Sequence, residues 1–202
     1  VACVDFSTEE VQELLRSDIP IVTIDHVCDG RICVVSNNIQ GMEELVKYIY
    51  SQGHRKIAYI HGQEGSTVTR DRLASFYRTM DELGLHVSDK YVRTANYLET
   101  KGSAEQTGQL LDLPDPPTCI IYPDDTSLIG GRNVIIERGM KIPQILYPKL
   151  TTIKQNTELI GEEAAIRLVG AIEKPKTTLV ERVVIEGNLV PGQSVGMIQV
   201  DE

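Results

Sequence analysis

Apolar, β-branched runs alternate along this chain with stretches whose apolar residues recur at helical spacing. The runs that read as strands are IPIVTI (19 to 24), KIAYI (56 to 60), YVRTA (91 to 95), TCIIY (118 to 122), LTTI (150 to 153) and LVERVVI (179 to 185). Between the first two, Ile39, Met42, Leu45, Val46, Ile49 and Tyr50 fall on one helical face, and Gly53 supplies a C-terminal stop. Leu73, Phe76, Tyr77, Met80 and Leu83 repeat the pattern before Gly84, and Ile160, Ala164, Ala165, Leu168, Val169 and Ile172 repeat it before Pro175. Shorter helices are expected over 8 to 16, 102 to 111 and 126 to 138. This alternation predicts an α/β protein, with mostly parallel sheets flanked by helices.

Two places are thin for a complete α/β domain. At the start, one strand-like scrap (Val1 to Phe6) leads straight into a helix. After Gly139, only MKIPQILYPK separates a helix from the next strand, and Pro143 and Pro148 stand too close together for a buried strand between them. There is no internal repeat and no low-complexity tract.

The 202 residues, 41% hydrophobic and 24% charged, are enough for a substantial core. No apolar run approaches the roughly 18 residues of a membrane helix. Lys plus Arg is 20 against 29 for Asp plus Glu; a net charge of -9 is the wrong sign for gripping a phosphate backbone over a broad surface. Cys3, Cys28, Cys33 and Cys119 form no CxxC pair and no disulfide framework, which points to a reducing compartment. VACVDFSTEE lacks the basic and long apolar regions of a secretory signal, so a cytoplasmic location is expected.

The sequence carries no G-x-S-x-G elbow, no H-E-x-x-H and no G-x-G-x-x-G after a strand, and HGQEGST lacks the lysine of a P-loop. His26, His54, His61 and His86 are scattered, so neither a metal nor another cofactor is expected. In open α/β sheets, ligands bind beyond the carboxyl ends of the strands. Just past the predicted strand ends stand Asp25, Arg70 and Arg72, Tyr97, Asp124 and Gln155. Such a set suits a small polyhydroxylated ligand. Carboxylates accept from vicinal hydroxyls, an arginine donates in a planar fork, an amide does both, and an aromatic ring covers the apolar face of a sugar.

Each residue also has a plainer role open to it. Of Asp124 and Asp125, the second is better placed to cap the helix expected from Thr126. Asp25 could close a local Asx turn with Asp29 and Gly30 beyond it, and Tyr97 could be an ordinary half-buried ring. Arg70 and Arg72, expected in a helix's first turn, would face the positive end of the helix dipole and call for an anionic or hydroxylated partner; Asp71 could offset one of them.

The segment GMEELVKYIYSQGHRKIAYIHGQEGSTVTRDRLASFYRTMDELGL resembles the stretch of lactose-repressor/galactose-repressor (LacI/GalR) transcription regulators in which a helix ends in "LGHR+IA-I-G", followed by a serine-rich loop and "R-R--GF". PPTCIIYPDDTSLIGGRNVIIERGMKIP is similar to their "PPTAI---ND--A-GA---L-E-G--IP", and PKLTTIKQNTELIGEEAAIRLVGAIE to their "P-LTT--Q----+G--A---L---I". The likeness runs from about Ile19 to Gly196. It implies the two-lobed, type I periplasmic-binding-protein-like fold, with residues 1–36 and 156–175 in an incomplete first lobe and 37–155 and 176–202 in the second. It also implies a sugar or polyol effector between the lobes, held by Asp25, Arg72, Tyr97 (a ring-stacking position), Asp124 (the Asn of "ND") and Gln155. The acid at 124 favours a hydroxyl-donating ligand over an anionic one.

The family's helix-turn-helix, its first strands and a "DISVVGFDD"-like stretch expected after Pro143 have no counterpart here. Operator DNA would therefore be reached only through a helix-turn-helix outside this sequence, in a homodimer without membrane contact. A different class is an extracytoplasmic sugar-binding protein of an ABC transporter. A third is a carbohydrate enzyme using Asp25 and Asp124 as an acid/base pair across roughly 5 to 10 Å. The resemblance favours the non-enzymatic regulator.

Overall fold

A computed structural model describes residue 6 and residues 8–140, 149–175 and 178–198. In chain order the first elements are α1 (Glu9–Arg16), β1 (Val22–Ile24), β2 (Ile32–Ser36), α2 (Asn38–Ser51), β3 (Ile57–His61) and α3 (Thr67–Glu82). A 3-10 turn (Asp89–Tyr91) leads into β4 (Val92–Thr94), α4 (Thr100–Leu111), β5 (Cys119–Ile121) and α5 (Asp125–Glu137). The last are β6 (Thr152–Lys154), α6 (Thr157–Glu173), β7 (Arg182–Ile185) and β8 (Asn188–Val190). The helices begin where side chains satisfy their first N–H groups: Asn37 accepts from Gln40 N, Ser66 from Thr69 N, Asp124 from Ser127 N and Asn156 from Leu159 N. At the other end of α1, the Arg31 guanidinium donates to the carbonyls of Leu15, Ser17 and Ile19.

Two parallel three-stranded sheets form the centres of two lobes. The first has the order β1-β2-β7, with Ile24 beside Val34 and Val34 beside Val183. Ile160, Ala164 and Ala171 of α6 pack on its Val22, Ile32, Val34 and Ile185. The far side of α6 leaves Ile166, Val169 and Ile172 each more than half exposed. The second sheet has the order β4-β3-β5. Met42, Val46 and Ile49 of α2 and Phe76 and Met80 of α3 cover one face against Ile57, Tyr59 and Ile121. Leu110 of α4 packs on the other face against Ala58, Ile60 and Ala95. Each fully buried Val, Ile, Leu, Phe or Met side chain among them contributes about 1.5–3 kcal/mol. A short antiparallel pair, β6 with β8, lies beside α2.

The chain passes between the lobes from Ser36 into α2, from Gln155 into α6, and between Ile185 and Asn188. The sequence boundary that put 176–202 in the second lobe is therefore corrected. β7 hydrogen-bonds to β2 in the first lobe, while β8 and the segment through Ile198 return to the second, where Val195 joins the core and Ile198 N donates to Gln52 O. β2 and β8 were not anticipated as strands. The strands predicted at 19 to 24 and 179 to 185 are shorter than expected, and most of the Val1 to Phe6 scrap lies outside the described residues.

α4 and α5 approach closely at Gly130, where a Cβ would collide with the Thr100 carbonyl oxygen; a Cβ at Gly161 in α6 meets nothing. Gly130→Ala is expected to lower unfolding free energy in urea by about 1–3 kcal/mol. Gly161→Ala should leave it unchanged or raise it by up to about 1 kcal/mol.

Candidate functional site

The five residues that the family resemblance singles out, Asp25, Arg72, Tyr97, Asp124 and Gln155, are half-buried, whereas Arg70, also expected past a strand end, is exposed and lies outside their network. One path, hydrogen-bonded but for the covalent step from Pro123 to Asp124, runs through four of the five to the backbone neighbour of the fifth. Gln155, just past β6, donates from Nε2 to Ser36 Oγ at 2.7 Å and to Asp25 Oδ2 at 3.4 Å. Ser36 N donates to Asp25 Oδ1 at 2.8 Å, and Asn38 Nδ2 donates to the Ser36 carbonyl at 3.1 Å. Asn38 Oδ1 in turn accepts from Arg72 Nε at 2.8 Å, while Arg72 Nη1 donates to the Pro123 carbonyl at 3.0 Å. Next in the chain, Asp124 Oδ2 accepts from Leu98 N at 3.0 Å. Adjacent to Leu98, Tyr97 shares a hydrogen bond of 2.7 Å with Thr69 Oγ1, and its ring lies so close over Gly62 that any Cβ there would collide with it.

Three local expectations are revised. Asp124, not Asp125, caps α5: its carboxylate accepts from Ser127 N at 2.9 Å and from Ser127 Oγ at 3.0 Å. Asp25 closes no local Asx turn. It adopts φ 52°, a left-handed conformation tolerated by Asp more than by most residues, and its carboxylate reaches the amide of Ser36 at the end of β2. Arg72 lies in the second turn of α3, so the helix dipole is not what it answers. Its two hydrogen bonds, neither using Nη2, hold the β2-to-α2 and β5-to-α5 junctions together. Asp71 pairs across the lobes with Arg182 of β7 at 3.1 Å.

Ser36, Asn38 and Thr69 belong to this constellation and were missed by sequence reasoning. The signal that could have found the first two was the apolar run ICVVS ending at the paired asparagines. His26 also lines this region. It stacks on Phe6, ring centroids 3.8 Å apart, and burial together with the Arg70 charge holds its pKa below that of a free imidazole. Next to it, Val27 N donates to Thr67 Oγ1, at 3.4 Å, on the first residue of α3 in the other lobe.

A cavity of about 440 Å³ lies elsewhere, along the edge of β5 away from β3, between Leu45 and Ile49 of α2 and Leu128 and Ile135 of α5. Of the five expected residues it touches only Asp124. At one end sits His54, 5% exposed, whose Nε2–H donates to the Gly196 carbonyl at 2.9 Å and whose Nδ1 meets Thr118 Oγ1 at 3.0 Å. Burial pushes its pKa down, partly offset by the Gly196 hydrogen bond. Among the described residues no group of three His, Cys, Asp or Glu side chains stands close enough to hold a metal ion, and no helix is long and apolar enough to cross a membrane.

Two parallel α/β lobes, joined by three crossings with a polar constellation at the strand ends, define a domain of the two-lobed periplasmic-binding-protein type. The periplasmic binding protein-like domain model matches residues 46–147. The chain belongs to that family, in the form carried by LacI/GalR-type regulators. It is 26% identical over 189 residues to the "Probable HTH-type transcriptional repressor ExuR" of Bacillus subtilis (strain 168), a match covering 86% of this chain and 56% of that repressor. It is 29% identical over 151 residues to the HTH-type transcriptional repressor CytR of Escherichia coli (strain K12), covering 68% and 44% respectively. A regulatory protein of LacI family from Chloroflexus aggregans superposes with a TM-score of 0.81 at 25% identity, covering 96% of this chain and 75% of that one. The chain spans about half the length of the two repressors.

In the folded chain His54 resists protonation more than in the unfolded chain, where the ordinary value is 6.5. The unfolded state therefore binds more protons, and stability falls as pH drops below that value. Urea midpoints at about pH 7.5 and about pH 5.5 should show this fall. His54→Gln should flatten it, leaving a residual slope from His26.

Proposed function

We propose that this chain is the effector-binding part of a transcriptional regulator, taking a neutral sugar or polyol between its lobes through Asp25, Arg72, Tyr97, Asp124 and Gln155. The observation that carries this reading is the hydrogen-bonded path from Gln155 through Asp25, Ser36, Asn38 and Arg72 to Asp124. It draws strand-end side chains from two of the crossings and from both sheets together. A sugar hydroxyl can donate to the carboxylate lone pairs that Ser36 and Leu98 leave open and accept from the unused Nη2 of Arg72. The Tyr97 ring, packed against Gly62, offers an apolar face.

The named relatives are transcriptional repressors, which favours a regulator over a transport protein or an enzyme. Against an acid/base pair stands the use of both carboxylates as acceptors of backbone N–H groups, Asp25 from Ser36 and Asp124 from Leu98 and Ser127. In this reading the whole protein is a cytoplasmic homodimer. Effector binding biases one lobe arrangement and thereby the spacing of helix-turn-helix heads on operator DNA. Coupling of this kind requires only that the ligand bind the two arrangements with different affinity.

A thermal-shift screen over neutral pentoses, hexoses and polyols tests the reading. At least one should raise Tm, by up to about 2.7 kcal/mol of added stability when present at a hundredfold excess over Kd. Arg72→Ala, whose own Tm is recorded without ligand, should weaken that sugar at least about tenfold, as loss of charge-assisted hydrogen bonds implies. Unchanged affinity in Arg72→Ala would place the ligand elsewhere.

A further inference from the structure

Two cysteines lie close together behind the loop that carries Asp25. Cys33 sits in β2, 2% exposed, on the sheet face opposite α6; Cys28 follows β1 and packs with Phe6, Leu15 and Ile21 on that same side. Cys33 Sγ accepts from Cys28 N at 3.2 Å and lies 3.6 Å from the Cys28 carbonyl oxygen, so its sulfur rests on the backbone of residue 28. Cys33 is also near enough to raise the Cys28 pKa. All three described cysteines are free. The turn between the pair contains Gly30 at φ 76°, a residue that lets the backbone adjust where bulkier ones could not. A disulfide brings the two β-carbons to about 3.8 Å, and one sulfur already rests against the partner's backbone.

We propose that Cys28 and Cys33 form a thiol-modification site, joined as an intramolecular disulfide by exchange with a low-molecular-weight disulfide such as oxidised glutathione. Cys28, half-exposed, attacks as the thiolate. Its sulfur bonds to one glutathione sulfur and the other glutathione leaves as a thiolate that takes up a proton. Cys33, having lost its proton to solvent, then attacks the Cys28 sulfur and expels the second glutathione. Two protein thiols are oxidised to one disulfide, and one glutathione disulfide is reduced to two thiols. Burial, the nearby Cys33 and Asp29 all raise the Cys28 pKa, and Arg31 alone opposes them, so the first step is slow at neutral pH and quickens as pH rises. Cys119 makes a poor competitor, its thiol pushed up to about 12 by burial. The bridge would sit one residue beyond Val27, whose amide meets Thr67 across the lobes, so it stiffens the loop at the lobe boundary.

The test incubates the native full-length chain with oxidised glutathione, quenches in acid, unfolds and alkylates it, and cleaves it with trypsin, which cuts after Arg31 between the two cysteines. The expected product is a pair of peptides linked through Cys28 and Cys33, with a mass lower by two hydrogens than the reduced pair, while Cys119 is alkylated. In Cys33→Ala, glutathione should instead persist on Cys28, at least tenfold more than in the unsubstituted protein. Full alkylation of both thiols, a bridge from either one to Cys3, or a glutathione adduct on Cys28 that Cys33 leaves unresolved would each overturn the proposal.

Discussion

The Arg72 guanidinium is the constraint on which the candidate site depends. Its Nε and Nη1 are committed to Asn38 Oδ1 and the Pro123 carbonyl, two groups more than thirty residues from it in either direction along the chain. Without it, a 7% exposed Asn38 side chain and a buried strand-end carbonyl would lose a charge-assisted donor. With it, the entry to α2 and the entry to α5 keep a fixed separation. Asp25 and Gln155 are hydrogen-bonded to Ser36 at the first junction, and Asp124 at the second holds Leu98, the neighbour of Tyr97. A site built this way has little reorganisation left to do when a ligand arrives.

The two carboxylates of the candidate site also carry structural hydrogen bonds. Asp124 caps α5, anchors Leu98 N and so holds the loop bearing Tyr97. Asp25 accepts from Ser36 N while held in a left-handed backbone conformation. Local strain of this sort, costing on the order of 1–3 kcal/mol, persists only where the surroundings over-determine it, and it clusters at ligand-binding positions. A carboxylate offers about four lone-pair directions, so neither role exhausts it.

The long helices were legible because their apolar stripes are periodic over three or more turns. Met42, Val46 and Ile49, and Phe76 and Met80, are buried where that pattern puts them. β2 was not, because all five of its residues are buried on both faces: ICVVS shows neither alternation nor helical spacing and hides between Arg31 and the asparagines. That omission also concealed Ser36 and Asn38, since the strand-end rule cannot be applied to an unseen strand. β7 was assigned to the wrong lobe because local sequence says what is a strand but not which strand pairs with it. The choice between Asp124 and Asp125 as cap turned on a helix start displaced by one residue, the usual uncertainty of element ends. The strand-end rule nevertheless named four residues, Asp25, Arg72, Asp124 and Gln155, that lie on one network, with Tyr97 beside its Leu98 end and Arg70 outside it.

The most direct measurement of that tie is a double-mutant cycle on unfolding free energy in urea, with Arg72→Ala, Asn38→Ala and the pair combined. If the guanidinium and the amide hold the two junctions together, the two losses overlap and the coupling is at least about 1 kcal/mol. Losses that add to within about 0.5 kcal/mol would mean the two side chains act independently, and the account of the cleft as a single wired unit would be wrong.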